Sequence, residues 1–327
     1  MYRTGLILGK FMPLHKGHIE LIHFAAKRVE RLILLICAHD GEPIPGTMRF
    51  HWAKQILNKT NIEIRLMEYD SRILPDTSVS APEASKLWAE YLKKNYPEID
   101  VIFSSEKYGD YLAEYLNIRH VQFDAARNIV PVSGSQIRNN PIKFWEYMPS
   151  EVQSYFVKKI CILGTESTGK SVLTENLARH FNTTYVPEVA RDIVDKTEEV
   201  TPNHLRQIAE QHAKAILEKV NVAKGLLFVD TDLNITKSYS KFLFDQSLIV
   251  PNWIEEANRS DLYFYLESDC PYIQDGTRLS EQRRESLNQF HKLHLSEANI
   301  SFHIINGDWN HRLATAINII NETYYKD

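Results

Sequence analysis

The chain has 327 residues, a formal net charge of -4, and 43% hydrophobic and 24% charged residues, which is an ordinary composition for a globular protein. Its length suffices for two domains of roughly 150 residues, each able to bury its own core. No apolar run approaches the ~20 residues that a membrane span requires. The acidic balance argues weakly against a nucleic-acid-binding surface.

The first residues lead at once into a strand-like run, which leaves no room for a signal peptide. The three cysteines, Cys37, Cys161 and Cys270, are an odd number without paired spacing. Cys37 and Cys161 lie in apolar strand-like runs and are predicted to be buried core residues. This pattern is typical of a reducing compartment, so we expect a cytoplasmic protein with no membrane contact.

Apolar patterning predicts alternating strands and helices in the first half of the chain. The predicted strands are residues 5–8, 32–37 and 100–104, and the predicted helices begin near Gly17 and cover 49–58 and 82–95. The segment Phe144–Val157 is predicted to be one amphipathic helix with Pro149 in its first turn. Such alternation indicates βαβ units with a parallel sheet.

A second alternation begins with a strand at 159–163 and a helix at 170–181. Further strands are predicted at 184–187, 226–230, 262–266 and 301–305, and further helices at 203–223, 281–297 and 309–322. We therefore expect an α/β protein with two parallel-sheet domains, residues 1–155 and residues 156–327. No flexible linker separates them in the sequence.

The run from Gly9 to His18 lies between the first strand and the first helix. Gly9 allows a sharp turn of the backbone close to a phosphate. His15 and His18 lie at the helix N-terminus, where free N–H groups and the helix dipole favour anions. Attack on the α-phosphorus of ATP requires charge stabilisation and positioning, which imidazole donors at this place can supply.

This run resembles the G-x-F-x-P-x-H-x-G-H signature of the nucleotidylyltransferase superfamily. The segment Ser133–Arg138 resembles the second signature of that superfamily, a Ser-rich turn that opens a helix and carries an arginine. Ser135 is expected to cap the helix and contact phosphate, and Arg138 to bind the triphosphate. The resemblance implies a Rossmann-like nucleotidylyltransferase domain, with His15, His18 and Arg138 as catalytic residues. The predicted ATP-binding residues are Gly9, Lys10, Phe11, His15, His18, Ser133, Ser135 and Arg138.

The segment from Ser80 to Trp88 resembles the stretch with which nicotinamide mononucleotide (NMN) adenylyltransferases hold the pyridine ring. The resemblance implies that Trp88 stacks on the cationic ring, which gains about 1–2 kcal/mol. The alternative is that Trp88 belongs to a helix core. Arg49 resembles the phosphate-binding arginine of that family, and its alternative is an exposed surface arginine.

A second phosphate motif follows the strand at 159–163 and fits the pattern G-x-x-x-x-G-K-[ST]. Its residues, all predicted to bind ATP, are Gly164, Thr165, Glu166, Ser167, Thr168, Gly169, Lys170 and Ser171. Lys170 is expected to reach the β and γ oxygens and Ser171 to bind Mg²⁺. Asp230 ends an apolar strand in a Walker-B-like arrangement and is predicted to be the second metal ligand.

The acceptor side of this second domain is expected near Glu188 and Arg191, where P-loop kinases bind the phosphoryl acceptor. A carboxylate there can take the proton of the acceptor hydroxyl, and the identity of the base stays open among Glu188, Asp192 and Asp230. The alternative is a local ion pair between Glu188 and Arg191.

A kinase lid is predicted from Asp275 to Arg278 and onward to Arg283 and Arg284, since lid arginines close over phosphates. A solvated charged helix face is the alternative for these arginines. His291 and His294 lack further ligands and are predicted to lie on a hydrated helix face.

The order of the two domains, with Pro-Glu-Val-Ala-Arg at 187–191 and Val-Asp-Thr-Asp at 229–232, resembles the bifunctional NadR-type family. That family joins NMN adenylyltransferase to ribosylnicotinamide kinase. The resemblance implies that the chain phosphorylates nicotinamide riboside with ATP and then converts NMN to NAD with release of pyrophosphate. Expected ligands are therefore nicotinamide riboside, NMN, ATP and Mg²⁺.

Some family members carry an N-terminal helix-turn-helix, for which this chain has no residues, so we expect no nucleic-acid partner. A homo-oligomer stays one option, because the sequence does not reveal the oligomeric state. Two other functions remain open. One is a coenzyme A synthase-like fusion of pantetheine-phosphate adenylyltransferase and dephospho-coenzyme A kinase. The other is a regulatory protein that senses NAD or ATP.

Overall fold

The computed structural model describes residues 1–76, 81–194, 199–269 and 280–326. The chain divides into two compact units, Met1–Gln153 and Ser154–Asp327. This division falls inside the helix Ser150–Phe156. The domain boundary predicted from the sequence, after residue 155, falls in the same helix. The described part of each unit contains one five-stranded sheet, and the strand pairs are parallel. The predicted α/β class with two parallel sheets is confirmed.

The first unit alternates strands and helices along the chain. Its strands are β1 (Tyr2–Gly9), β2 (Val29–Ala38), β3 (Ile62–Glu68), β4 (Val101–Ser104) and β5 (Arg119–Gln122). Its helices are α1 (Lys16–Ala26), α2 (Gly46–Ile56), α3 (Pro82–Asn95), α4 (Tyr108–Leu116), α5 (Gly134–Asn139) and α6 (Ser150–Phe156). The strand order in the sheet is β3-β2-β1-β4-β5.

The core of this unit is built on the central strands β1 and β2. All six side chains from Leu32 to Cys37 are fully buried, because helices cover both faces of the sheet. Strand β1 lies between β2 and β4, and the strand order reverses there. Loops leave the carboxyl ends of two such strands in opposite directions and open a crevice that binds ligands. Gly9, the last residue of β1, lies at this crevice.

The second unit repeats the same alternation. Its strands are β6 (Lys158–Leu163), β7 (Thr184–Val186), β8 (Leu226–Asp230), β9 (Leu262–Leu266) and β10 (His303–Ile305), in the order β10-β9-β6-β8-β7. Its helices are α7 (Lys170–His180), α8 (Pro202–Val220), α9 (Leu233–Phe244), α10 (Asn252–Asn258), α11 (Glu281–Glu297) and α12 (Trp309–Tyr324). Within the described residues, no helix is long and apolar enough to span a bilayer.

Several elements have no counterpart in the sequence-based prediction, namely β3, β5, α4, α9 and α10. Strand β5 lies at a sheet edge and none of its four residues is buried, so it lacks the apolar signature of a strand. Helix α9 is rich in Ser and Thr, which are weak helix formers. It is stabilised at its start by Asp232, whose Oδ1 accepts hydrogen bonds from the N–H groups of Asn234 and Ile235 at 2.9 and 3.1 Å.

The predicted continuous helix Phe144–Val157 is wrong. The structure has a single 3-10 turn at Trp145–Tyr147, an extended Met148, and then α6 from Ser150. Met148 precedes Pro149, and the proline ring disfavours a helical backbone at the preceding residue. The proline therefore separates two short elements and lies just before the second one.

The predicted burial of two cysteines is confirmed. Cys37 and Cys161 are free thiols that are fully buried in β2 and β6. Burial raises the pKa of Cys37 to about 12, so its thiol is inert at neutral pH. Cys270 lies outside the described residues.

Gly5 tests how closely the central strands pack. A Cβ at this position of β1 would lie 2.8 Å from Val29 and 2.9 Å from Phe103. We expect Gly5→Ala to lower the free energy of unfolding by about 1–3 kcal/mol, because the core must shift. Gly9→Ala meets nothing closer than 3.6 Å and should change stability by less than about 0.5 kcal/mol. Denaturant unfolding that finds equal stabilities for the two variants would contradict this packing.

Candidate active sites

The first candidate site is a cavity of about 380 Å³ at the carboxyl end of β1. All eight residues predicted to bind ATP in the first unit line it: Gly9, Lys10, Phe11, His15, His18, Ser133, Ser135 and Arg138. The structure thus brings together two motifs that are more than a hundred residues apart in the sequence. Their joint lining of one cavity is what a triphosphate site requires.

The two histidines of the first motif form one stacked pair. Their ring centroids are 3.6 Å apart, and Phe11 lies edge-on to His18 with centroids at 5.0 Å. The N–H of His15 donates to Nδ1 of His18 at 3.3 Å, which orders the first turn of α1. Both rings are therefore held by local packing before any ligand binds.

Burial keeps both imidazoles neutral. Burial and, second, the Arg127 guanidinium lower the pKa of His15 from 6.5 to about 3. Burial, the neighbouring His15 and then Arg127 lower the pKa of His18 well below its usual value. Each ring at pH 7 can therefore donate one hydrogen bond but carries no charge.

The second motif is bonded directly to the first. Ser133 caps α5, and not Ser135 as predicted, because Ser135 lies inside the helix. Ser133 accepts the N–H of Gln136 at 3.2 Å, and the Gln136 side chain accepts the N–H of Ser133 at 2.8 Å. Arg138 donates to the carbonyl of Met12 and, at 3.1 Å, to the hydroxyl of Ser135. A Cβ at Gly134 would lie 2.7 Å from the Met12 carbonyl oxygen, so only glycine allows this approach.

Two further cationic side chains, Lys10 and Arg127, border the cavity and differ in burial and in ion pairing. Lys10 is paired with Glu42 at 3.0 Å and with Asp76, and its side chain is mostly buried. Arg127, which the sequence analysis missed, is half-exposed and pairs with Glu106 at 3.4 Å. No periodic pattern or motif marks Arg127 in the sequence, because it lies in a loop with a left-handed backbone (φ 53°).

Neither of the two residues predicted to bind NMN lines this cavity. Arg49 is fully buried, which excludes the alternative of an exposed surface arginine. Its guanidinium donates to the carbonyl of Lys10 at 2.6 Å and of Cys37 at 3.2 Å, and it forms an ion pair with Glu42. Phosphate binding by Arg49 stays a prediction, and in the structure described here this side chain holds β1, β2 and α2 together.

Trp88 lies in the hydrophobic core of α3 and is 3% exposed. Its indole N–H donates to the carbonyl of Pro75 at 2.8 Å, and its ring makes edge-on contacts with Tyr69 and Tyr91. This is the packing that the core alternative describes, so stacking on a pyridine ring stays a prediction. Ser80, at the start of the same predicted segment, lies outside the described residues.

The neutral histidines make the stability of the protein depend on pH. An unfolded chain binds a proton at His15 below pH 6.5, whereas the folded chain does so only near pH 3. The contribution of His15 to the free energy of unfolding is therefore fully present above pH 6.5 and is lost as the pH falls towards 3. When the pH is lowered from 7 to 5, the free energy of unfolding should fall in the wild type by about 2 kcal/mol more than in His15→Gln, which lacks this titrating group. Equal losses in denaturant titrations at the two pH values would contradict a neutral, buried His15.

The second candidate site is the loop between β6 and α7. Gly164 and Gly169 have left-handed φ angles of 142° and 85°. A Cβ at Gly164 would lie 2.8 Å from the Leu266 carbonyl oxygen, and one at Gly169 would lie 2.1 Å from the Trp309 ring. Both conformation and packing therefore require glycine at these two positions.

The lysine of this loop is already placed on its backbone. Lys170 is buried, and its Nζ donates to the carbonyl of Thr165 at 3.0 Å. The hydroxyl of Thr168 donates to the same carbonyl at 2.8 Å, and Ser167 has a left-handed φ of 61°. Ser171 is exposed in the first turn of α7. The loop thus has the arrangement of a phosphate-binding P-loop.

Asp230 is buried at the carboxyl end of β8, in register with Ile162 of β6. Because the phosphate loop begins two residues after Ile162, the carboxylate and the loop share one edge of the sheet. The next residue, Thr231, has a left-handed φ of 72° and donates its N–H to the Ile162 carbonyl at 3.0 Å. Burial raises the pKa of the following Asp232 to about 6, and this residue caps α9.

The remaining predicted kinase residues are placed only in part. Glu188 is half-buried after β7. Arg191 and Asp192 belong to the 3-10 turn Ala190–Asp192, and the Arg191 side chain is outside the described residues. Arg278 and the rest of the predicted lid at 275–278 also lie outside them. Arg283 is exposed in the first turn of α11.

Arg312 of α12 is a functional candidate that the sequence analysis missed. It is 1% exposed, and it donates to the carbonyls of Thr168 at 2.6 Å and Gly307 at 2.8 Å. It also donates to the Glu267 carbonyl at 3.1 Å and pairs with Asp269. One guanidinium therefore ties the phosphate loop to the ends of β9 and β10.

The prediction of a hydrated helix face is wrong for His291. This residue of α11 is fully buried, and its Nδ1 shares a hydrogen bond of 2.8 Å with the hydroxyl of Ser238. Burial and, second, the charge of Lys170 lower its pKa to about 3. The spacing between His291 and His294 placed both on one helix face, but it could not show that α9 covers His291.

Arg312 offers a test of this loop anchor. Arg312→Met removes four donor contacts and leaves buried acceptors unpaired, so it should lower the free energy of unfolding of the second unit by about 3 kcal/mol. Arg179→Met breaks an ion pair whose partners are 72% and 52% exposed, and it should cost less than about 1 kcal/mol. A small effect of Arg312→Met in denaturant unfolding, equal to that of Arg179→Met, would contradict the anchor.

Both units thus place a phosphate-binding turn after the central strand of a parallel sheet. The first turn is of the nucleotidyltransferase type and the second is of the P-loop type. The fold and the two sites define a two-domain, nucleotide-dependent transferase.

Comparison with known proteins identifies the family. A family model described as an AAA domain matches residues 159–312. The chain is 31% identical to the Trifunctional NAD biosynthesis/regulator protein NadR of Escherichia coli strain K12, over 97% of this chain and 82% of that protein. It is also 24% identical to the nicotinamide-nucleotide adenylyltransferase of Thermococcus onnurineus, over 49% of this chain and 84% of the relative. The chain belongs to the NadR family.

Solved structures share the fold along the whole chain. A crystal structure of NadR protein in complex with NR matches with a TM-score of 0.76 at 22% identity and covers 99% of this chain and 97% of its own. A crystal structure of NadR protein in complex with NAD and AMP-PNP matches with a TM-score of 0.77 at 21% identity, with coverages of 100% and 97%.

Proposed function

We propose that the chain is a bifunctional NAD salvage enzyme. Its second unit phosphorylates nicotinamide riboside with ATP, and its first unit transfers an adenylyl group from ATP to the resulting NMN, which yields NAD and pyrophosphate. The observation that supports this proposal is that each unit of one NadR-family chain has its own candidate phosphate-binding turn at the end of its central strand. Related NadR structures named as complexes with NR, and with NAD and AMP-PNP, support the choice of substrates.

In the first unit, the ATP triphosphate would occupy the cavity beside α1 and α5. Arg138 supplies a fixed positive charge, while His15 and His18 donate hydrogen bonds as neutral rings. The NMN phosphate oxygen attacks the α-phosphorus, and the bond to the leaving pyrophosphate breaks. Catalysis then rests on in-line positioning and on charge stabilisation, with no covalent enzyme intermediate.

Lys10 would exchange partners when ATP binds. Without a ligand it is held by Glu42 and Asp76 at the cavity. A triphosphate is a stronger anion than either carboxylate, so the ammonium is expected to move onto the phosphates. This exchange leaves Glu42 paired with Arg49, which is why Arg49 matters to the site even though it does not line the cavity.

In the second unit, the loop N–H groups and Lys170 would hold the β and γ phosphates of ATP. Ser171 and Asp230 fit Mg²⁺, because both supply hard oxygen donors at the edge of the sheet where the loop begins. The metal would supply charge neutralisation between the phosphates. Arg283 and Arg278 remain proposed contacts to the transferring group.

Glu188 is the base that we favour for the kinase step. It is half-buried, whereas Asp230 is fully buried and is already assigned to the metal. The carboxylate takes the proton of the 5′-hydroxyl as its oxygen attacks the γ-phosphorus and ADP leaves. Arg191 remains a proposed contact to the riboside, and Arg49 and Trp88 remain proposed contacts to NMN.

Family membership favours this function over the two alternatives from the sequence. Among the residues that the structure describes, no specific contact favours a coenzyme A synthase-like fusion. The two candidate phosphate sites, each with its predicted lysine or arginine and histidine donors, also favour turnover over a purely regulatory role. We place the enzyme in the cytoplasm, since the buried free thiols Cys37 and Cys161 fit a reducing compartment.

The two activities should be separable by single substitutions. We expect His18→Ala to lower NAD formation from NMN by about 10²–10³ while riboside phosphorylation stays near the wild-type rate. Lys170→Ala should do the reverse, because its loss removes charge from the β and γ phosphates of the kinase substrate only. Both assays are run on the same preparations. In each variant, the activity of the unaltered unit is the internal control for the preparation. Loss of both activities in either variant would contradict the assignment of one site to each unit.

A further inference from the structure

One residue of the kinase phosphate loop does not suit the role of the loop. Glu166 lies between Gly164 and Lys170, where backbone N–H groups and a lysine gather negative phosphates. A carboxylate there repels a triphosphate. Its side chain is held instead by Tyr239 of α9, whose hydroxyl donates to Oε1 of Glu166 at 3.3 Å.

Tyr239 connects this carboxylate to the acceptor side of the site. Burial and then the negative charges of Glu166 and Glu188 raise the pKa of Tyr239 well above its usual value, so both carboxylates act electrostatically on this phenol. Tyr239 also packs on the core cluster that Val189 and Ala190 contact, directly after Glu188. Tyr239 therefore bonds to the phosphate loop and packs on the same core cluster as the segment after β7.

The phenol is fixed from its other side by α11. The ring of His291 lies against Tyr239 with centroids 5.1 Å apart and an interplanar angle of 63°. His291 itself is bonded to Ser238, the neighbour of Tyr239 on α9. Tyr239 thus has little freedom to turn away from Glu166.

The carboxylates of Glu166 and Glu188 remain within reach of a ligand. Both side chains and Tyr239 are only partly buried, in contrast to the buried Asp230 and His212 nearby. His212 also responds to Glu188: burial lowers its pKa, while its hydrogen bond to Asn258 and the Glu188 carboxylate oppose the shift.

The geometry of phosphoryl transfer determines which part of the acceptor lies beside Glu166. The attacking 5′-oxygen must come within about 3–3.5 Å of the γ-phosphorus that the loop holds. The ribose of the acceptor is therefore next to the loop, and its base is farther away. Ribose hydroxyls donate hydrogen bonds. A carboxylate is the strongest acceptor among protein side chains, because its negative charge strengthens the bond.

We propose that Glu166 is an acceptor-binding residue that takes a hydrogen bond from a ribose hydroxyl of the riboside, and that Tyr239 is the positioning residue that aims its carboxylate. This inference rests on the proposed kinase function. It reassigns Glu166 from the ATP side of the loop to the acceptor side. Glu188 keeps the role of the base, so the chemical step itself is unchanged.

The test compares Michaelis constants for the two kinase substrates. Glu166→Ala should raise KM for nicotinamide riboside by about tenfold or more, and Glu166→Gln should raise it less, because the amide oxygen still accepts. KM for ATP should stay the same or fall in both variants, since a charge that repels the triphosphate is removed. NMN adenylylation by the same preparations should be unchanged, because it uses the site in the first unit, and the retained KM for ATP reports correct folding of the second unit.

A double-substitution cycle tests the role of Tyr239. Tyr239→Phe should raise KM for the riboside several-fold in the wild-type background and should add nothing in the Glu166→Ala background. The matched control is Tyr265→Phe, which removes another tyrosine hydroxyl of the same core, bonded to Asn288 at 2.7 Å. This control should leave the riboside KM unaltered.

Clear results would overturn the inference. An unchanged riboside KM in Glu166→Ala, or an ATP KM that rises as much as the riboside KM, would place Glu166 on the ATP side after all. Additive effects of Tyr239→Phe and Glu166→Ala would remove the positioning role. If the wild-type chain does not phosphorylate the riboside, the proposed function fails, and this outcome is separate from a failure of the Glu166 assignment.

Discussion

Both active sites depend on backbone turns that are packed too tightly to accept a side chain. A Cβ at Gly134 would lie 2.7 Å from a carbonyl oxygen of the first motif, and one at Gly164 would lie 2.8 Å from the carbonyl oxygen of Leu266. Close packing of the backbone lets its N–H groups approach a phosphate directly. It also fixes each turn before ATP arrives, so binding costs little reorganisation.

A buried or half-buried guanidinium holds each of these turns. Arg138 donates to the Met12 carbonyl in the first unit, and Arg312 donates to the Thr168 carbonyl in the second. The two arginines differ in their further partners. Arg138 borders the cavity and remains available to phosphate, whereas Arg312 is almost fully buried among carbonyls and Asp269. The first arginine can therefore serve in catalysis, and the second maintains the shape of the loop.

The positive charge of the two sites is carried by Lys and Arg side chains and not by histidines. The histidines of the first motif are neutral because burial lowers their pKa values. A neutral ring donates one hydrogen bond and accepts another, so its protonation does not limit activity near pH 7. In the second site Glu166 is an acidic residue in a loop that is expected to bind phosphates, and its carboxylate accepts a hydrogen bond from Tyr239.

The sequence predicted the two phosphate motifs well because their chemistry is local. Gly9 to His18 and Gly164 to Ser171 each combine a strand end, a turn and a helix start within ten residues. Residues whose roles depend on distant contacts escaped prediction. Arg312 lies 144 residues from the carbonyl that it binds, and Arg49 donates to the carbonyls of Lys10, just after β1, and of Cys37 in β2. Strand β5 was missed because an exposed edge strand needs no apolar pattern.

The most direct test of two consecutive reactions on one chain is their stoichiometry. The full-length chain is incubated with nicotinamide riboside, excess ATP and Mg²⁺, and ADP, pyrophosphate, NMN and NAD are quantified until the riboside is consumed. The account predicts equal amounts of ADP, pyrophosphate and NAD at completion, with NMN only as a transient. Pyrophosphate without ADP, or NMN that accumulates without conversion to NAD, would contradict it.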